Sequence, residues 1–238
     1  MDAFLYGAML QWKLDLRNKV ILLTYYVVPL VFFGFMGAIF SSINPEAKNS
    51  LIQSMTIFGV TMGAFLGTPP PLIELYGSDI MKAYKVGGIP LWTAAVNNFI
   101  SAFFHLFIMS FIIFLLAPLA FGAKVPENIS VYFFALTVFI IVSLSVGTAL
   151  GLLIKSISKL TIFSQIIFLP SLMLSGIMFP TSLLPSVLEK AGMIFPATWG
   201  LKTMLSSELR LNLFLPLLMI FLLSASINIY KISRAGIE

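Results

Sequence analysis

Few side chains in this sequence could do covalent chemistry, and their spacing argues against each reaction in turn. Gly151-Leu152-Leu153-Ile154-Lys155-Ser156 comes nearest to a phosphate-binding loop, which needs a glycine directly before its lysine. Ile154 stands in that position at the end of an apolar run, so the segment does not bind ATP by that motif. Ser175-Gly176 and His105, the one histidine, raise an intramembrane serine protease, but the Gly-x-Ser-Gly pattern of that class fails at Met173. A single histidine, no cysteine and no paired acids within an apolar run leave no shell for a metal. Acidic residues do not recur through the apolar runs as they do in proton-driven pumps. We therefore expect no catalytic residue, no metal and no cofactor in this chain, and expect energy to enter from outside it.

What remains is polar chemistry inside apolar surroundings. Gln53, Asn97, Asn98, His105, Gln165 and Asn228 fall within apolar runs, where desolvation makes them face protein or water rather than lipid. Helix-to-helix hydrogen bonds account for such residues, and Asn97, Asn98 and His105 are also candidates to line a substrate path. Gly59, Gly63 and Gly67 repeat every four residues, as do Gly147 and Gly151, a spacing that lets helix backbones approach closely. The most informative polar segment runs from Glu74 through Ser78 to Pro90. Residues 74–85 read as a short surface helix stopped by Gly87-Gly88-Ile89-Pro90. Its mixture of Tyr, Ile and Met with single charges suits docking onto another protein. The candidates are Glu74, Leu75, Tyr76, Gly77, Asp79, Ile80, Met81, Lys82, Tyr84 and Lys85.

The elements that position these residues follow from composition. Of 238 residues, 59% are hydrophobic and 10% charged, so lipid must be the solvent for most of the surface. The net charge of +5 comes from scattered basic residues, not from a run that would track a nucleic-acid backbone. Crossing the hydrocarbon takes about 20 apolar residues, and segments near 20–43, 51–73, 91–121, 131–154, 161–179 and 211–230 qualify. Continuous apolar runs rather than alternation make these helices, not barrel strands. The first run, from Val20 to about Ile43, is too long for the apolar part of a signal peptide and reads as a retained span.

With both termini cytoplasmic, nine basic residues (Lys13, Arg17, Lys19, Lys82, Lys85, Lys155, Lys159, Lys231, Arg234) lie inside and five (Lys48, Lys124, Lys190, Lys202, Arg210) outside. The positive-inside rule favours that orientation. Residues 1–19 hold Phe4, Leu5, Ala8, Met9, Trp12 and Leu16 at helical spacing, with Gln11, Lys13, Asp15 and Arg17 on other faces: an amphipathic interfacial helix. The segment 91–121 is too long for a straight span, so it tilts, extends beyond the membrane or breaks near Pro118. Between Pro180 and Arg210, Pro180, Pro185 and Pro196 mark short helices at the outer face, with Trp199 at headgroup level.

Together these features resemble the ABC-2 type transporter permeases, over essentially the whole chain. The closest correspondence is Leu174-Ser175-Gly176-Ile177-Met178-Phe179-Pro180, then Leu184-Pro185 and Phe195-Pro196-Ala197-Thr198-Trp199, similar to the family's Ser-Gly-x-x-x-Pro, Leu-Pro and Pro-x-x-aromatic pattern. Glu74, Gly77 and Gly88-x-Pro90 resemble its coupling-helix region. The resemblance implies a single all-α transmembrane domain over 1–238, with six spans and an outer re-entrant element at 180–210. It also implies a separate ABC ATPase in two copies, carrying ATP and Mg, which docks at residues 74–85. A second permease subunit, identical or homologous, would complete a dimer in the plasma or inner membrane. The substrate path would lie on spans two and five, including Gln165 and Phe168. The cargo that a Phe- and Met-rich path suits is an amphipathic drug, antibiotic, peptide or lipid-like molecule. A polysaccharide or glycolipid exporter is the rival within the family. A channel without an ATPase and an immunity or binding protein are the rivals outside it.

Overall fold

The computed structural model describes residues 2–43, 45–77, 79–178 and 180–235. Ser78 of the docking segment and Phe179 of the proline-marked pattern lie outside them, as do the side chains of Asp79 and Ile80. All regular structure among the described residues is helical, and six helices are long and apolar enough to cross a membrane. They are span 1 (Lys19–Phe40), span 2 (Leu51–Tyr76), span 3 (Trp92–Phe121), span 4 (Ile129–Leu153), span 5 (Ile157–Leu174) and span 6 (Leu211–Arg234). An even number of crossings puts both chain ends on one side, the termini side, and the loops after spans 1, 3 and 5 on the far side. The helix Asp2–Arg17 precedes span 1. Asn18 separates the two, and its side-chain oxygen accepts from Val20 and Ile21 N–H to cap span 1.

Prolines explain the local departures from regular helix. Spans 1 and 2 each contain one π-helical turn, Leu23–Val27 and Gly63–Gly67, and each turn precedes proline: Pro29 in one, Pro69-Pro70-Pro71 in the other. A proline lacks the N–H that would reach the carbonyl four residues back. The widened turn re-pairs the backbone, with Val28 N–H donating to the Leu23 carbonyl and Thr68 N–H to that of Gly63 at 3.0 Å. Span 3 does not break at Pro118; it continues to Phe121 because the proline falls in its last turn. At about 45 Å it outreaches the hydrocarbon and must tilt or project. Span 5 begins at Ile157 rather than 161, and it ends at Leu174 rather than 179 because Ser175 and Gly176 turn the chain, Gly176 at φ 92°.

Span 2 is the centre of the bundle: 94% of its most apolar window is buried, against 11% for span 6. Its glycines meet neighbours within the same chain. A Cβ on Gly59 would strike Met109, on Gly63 Leu106 and Tyr25, and on Gly67 Tyr25. From span 4, Gly151 sits against the Pro69 carbonyl and Leu72, and Gly147 lies so close to the Ala64 carbonyl that no Cβ fits. Buried polar pairs tie the same helices: Thr56 with Tyr132 at 3.0 Å, and Asn228 Nδ2 donating to the Ser145 carbonyl at 3.0 Å. On the far side, the helix Ser186–Gly192 lies along span 5 and the helix Pro196–Leu205 folds back into the bundle. Pro196, Ala197, Leu201 and Met204 of the latter are buried, and Gly200 abuts Phe139 of span 4.

Gly147→Ala should lower stability by about 1–3 kcal/mol, because the Ala64 carbonyl belongs to the backbone and cannot rotate away. Gly34→Ala, where nothing lies within 4 Å, should be neutral or slightly stabilising. Thermal unfolding of the two variants in one detergent checks the difference.

Candidate functional site

The expected docking segment is helical on both sides of Ser78, which lies outside the described residues. Glu74, Leu75, Tyr76 and Gly77 complete the helix Pro69–Gly77, which is the termini-side end of span 2, and a second helix runs from Asp79 to Val86. The second helix ends in a Schellman cap: Gly88 takes φ 64°, its N–H donates to the Lys85 carbonyl, and Ile89 N–H donates to that of Tyr84 at 2.9 Å. Leu75, Tyr76, Met81 and Tyr84 converge with Leu91 and Ala94. The Tyr76 hydroxyl donates to the Leu91 carbonyl at 2.7 Å, tying span 2 to the start of span 3 across the loop. Glu74, Lys82 and Lys85 are exposed. Val86 (90% exposed) and Ile89 form an apolar tip that the sequence reading left out by stopping at Lys85.

The N-terminal helix packs on span 3 through Phe4, Ala8 and Trp12, with Leu5, Met9, Leu16, Lys13 and Arg17 facing outward. Asp15 corrects the amphipathic reading. It falls one turn from Gln11 and Trp12 on the packed face and is 2% exposed. Gln11 Nε2 donates to its carboxylate at 2.9 Å, and Ser101 Oγ of span 3 donates as well. Burial pushes the Asp15 carboxyl above its usual range, and the Ser101 and Gln11 hydrogen bonds oppose the shift.

The five candidate path residues fall in two places. Asn97, Asn98 and His105 are buried on span 3 on the termini side: Asn97 beside Gly7, Asn98 Nδ2 donating to the Thr68 carbonyl, His105 within 2.8 Å of the Tyr26 hydroxyl. Gln165 stands on the exposed face of span 5 beside Ile162, Ile166 and Leu169, while Phe168 turns inward against Phe58. Two further concavities lie elsewhere in the bundle. An apolar groove of about 530 Å³ lies between spans 4 and 6, lined by Phe134, Phe214 and Phe221. A polar cavity of about 170 Å³ opens on the far side among Asn49, Gln53, Asn128, Ser206 and Ser207. Gln53 Oε1 is buried there without a hydrogen-bond partner.

Six apolar helices, one of them buried at the centre of the bundle, with a short amphipathic helix at one end, define a multi-pass membrane protein. The family model for the ABC-2 type transporter matches residues 3–209. The chain belongs to that family, and it is the transmembrane part of an ABC transporter, a class whose members work with an ATPase. No curated protein matches the chain.

Tyr76→Phe removes the tie between spans 2 and 3 without changing side-chain volume. Losing a hydrogen bond of about 0.5–1.5 kcal/mol should speed amide exchange through residues 79–90 by roughly 2- to 10-fold. Hydrogen-exchange mass spectrometry of the detergent-solubilised chain measures it, with the amides of span 4 as the unaffected reference.

Proposed function

We propose that this chain is the permease subunit of an ATP-driven exporter, with its ATPase on a separate polypeptide. The observation that carries the reading is the helix Asp79–Val86 with its exposed apolar tip at Val86 and Ile89. An apolar tip ringed by Lys82 and Lys85 is costly to leave in water and suits a cleft on a soluble partner. The basic residues on the termini side support a cytoplasmic location for both ends, in the plasma or inner membrane. Two ATPase copies, holding ATP and Mg, would serve a dimer of this chain with an identical or homologous permease. The exposed apolar faces of spans 1 and 5, including Val31, Phe35, Ile166 and Leu169, are consistent with that second subunit.

In this mechanism, closure of the ATPase displaces the helix Asp79–Val86. The Tyr76–Leu91 bond passes the displacement to spans 2 and 3 together. Transport then requires nucleotide and substrate to favour different arrangements of these spans. The apolar groove between spans 4 and 6 supports an amphipathic drug, antibiotic, peptide or lipid-like cargo that enters from the bilayer. The far-side cavity of amides and hydroxyls favours a second reading, export of a polysaccharide or glycolipid. Gln165, on the exposed face of span 5, would meet either cargo at the interface between permeases.

The test is purification of the tagged chain in mild detergent from cells that hold its natural partners. A stoichiometric ATPase should co-purify, and Val86→Asp with Ile89→Asp should reduce its recovery at least several-fold while the permease remains folded. Recovery of the chain alone, even after gentle cross-linking in native membranes, would replace this reading with a channel or a binding protein.

A further inference from the structure

The packed face of the N-terminal helix carries chemistry that docking and transport do not use. Asp15 sits in the joint between that helix and span 3, and among the described residues no Lys or Arg pairs with it. His105, one turn beyond Ser101 on span 3, is fully buried, and its Nε2 lies 4.0 Å from Asp15 Oδ2 with no hydrogen-bond partner. The other ring nitrogen is 2.8 Å from the Tyr26 hydroxyl of span 1. Trp12 lies flat on the imidazole, 4.0 Å between ring centroids at 5°. Three elements thus meet on one carboxylate and one imidazole.

Charge accounting decides the state of such a pair. With Asp15 ionised and His105 neutral, a net negative charge is buried on two neutral donors, which costs free energy. One added proton removes the imbalance, either as a neutral acid beside a neutral imidazole or as an ion pair. The remaining groups around the site do not change this count. Span 1 presents Tyr25 and Tyr26, span 2 presents Thr68 and Gly63, and Lys13 of the N-terminal helix is exposed at the edge of a concavity between that helix and span 3.

We propose that Asp15 and His105 form a proton-binding site, and that one proton shared by the pair fastens the N-terminal helix onto span 3. Undocked, Asp15 is in water and releases its proton in the ordinary carboxylate range. Docked, burial makes its carboxyl hold the proton more tightly. Docking therefore takes up a proton: it is strongest on the acid side and weakens as pH rises through the docked-state value. Because the pair is coupled, the titration belongs to both residues together.

Trp12 reports the event directly, since a protonated or withdrawn imidazole changes the emission of an indole stacked on it. Trp92→Phe with Trp199→Phe leaves it as the sole tryptophan. The full chain in lipid nanodiscs should show Trp12 emission that titrates above the ordinary carboxylate range, moving to the exposed spectrum on the alkaline side. Asp15→Asn, which mimics the neutral acid, should hold the acid-side spectrum throughout. Two milder variants should move the midpoint in opposite directions. Ser101→Ala removes a hydrogen bond that favours the carboxylate and raises it. His105→Gln removes the second proton acceptor and lowers it by roughly a pH unit, a tenfold weaker proton affinity. Purely structural packing would not produce opposed shifts. A spectrum that stays flat in the native background, or a midpoint that neither variant moves, overturns the proposal. The readout involves no ATPase and no cargo, so it is independent of the exporter reading.

Discussion

The approach of Gly147 to the carbonyl of Ala64 sets the distance between spans 2 and 4, and much of the bundle is arranged around it. A backbone-to-backbone contact of this kind gains dispersion along two whole helices and leaves no room for lipid between them. It places span 2 in the interior, so every neighbour of span 2 must also be a helix able to come close. Gly59, Gly63 and Gly67 meet that demand toward spans 1 and 3, and Gly151 extends it toward Pro69. In soluble proteins the same glycines would weaken a helix. Here that cost is offset because the bilayer leaves the backbone no alternative hydrogen-bond partner.

The same absence of water explains why prolines sit beside the functional joints. Pro69, Pro70 and Pro71 take three donors from span 2 at the level where its Thr68 meets Tyr25 and Asn98. The π turn re-pairs Gly63 with Thr68, and the Asn98 amide supplies the Thr68 carbonyl with a donor from span 3. Span 1 repeats the arrangement at Leu23–Val27, and its turn presents Tyr25 to span 2 and Tyr26 to His105. Wide turns of this type are more easily displaced than regular helix. They lie where spans 1, 2 and 3 meet through Tyr25, Thr68, Asn98 and His105.

The spans, their order and the outer helices were legible in the sequence because lipid imposes one pattern that long apolar runs satisfy. The stop at Gly88 was legible for a local reason: an αL position before proline admits little else. The tertiary placement of single polar side chains was not. Asp15 looked like one of several solvated charges because helical periodicity assigns a face but not what covers it. Its burial depends on Ser101 and His105, more than eighty residues away. Gln165 and Asn98 looked alike as polar residues in apolar runs, yet one faces outward and the other is bound to Thr68. The signal for the π turns was present in the Pro69-Pro70-Pro71 run, which hydropathy averages away. Val86 and Ile89 were missed because the helix boundary was drawn at the last charged residue.

Span 3 is the element common to all of these contacts. Just before its start Leu91 holds Tyr76; two turns on, Asn98 holds the end of the span 2 π turn; further on, Ser101 and His105 hold the N-terminal helix and span 1. The ties at Asn98, Ser101 and His105 are hydrogen bonds of buried side chains, so each resists separation by the cost of leaving that side chain unpaired. A force applied at the helix Asp79–Val86 therefore reaches span 1 by two routes, through the facing π turns and through span 3. With the Asp15–His105 joint closed, the two routes move as one body. With it open, span 1 and its preceding helix are left to the π-turn contacts alone.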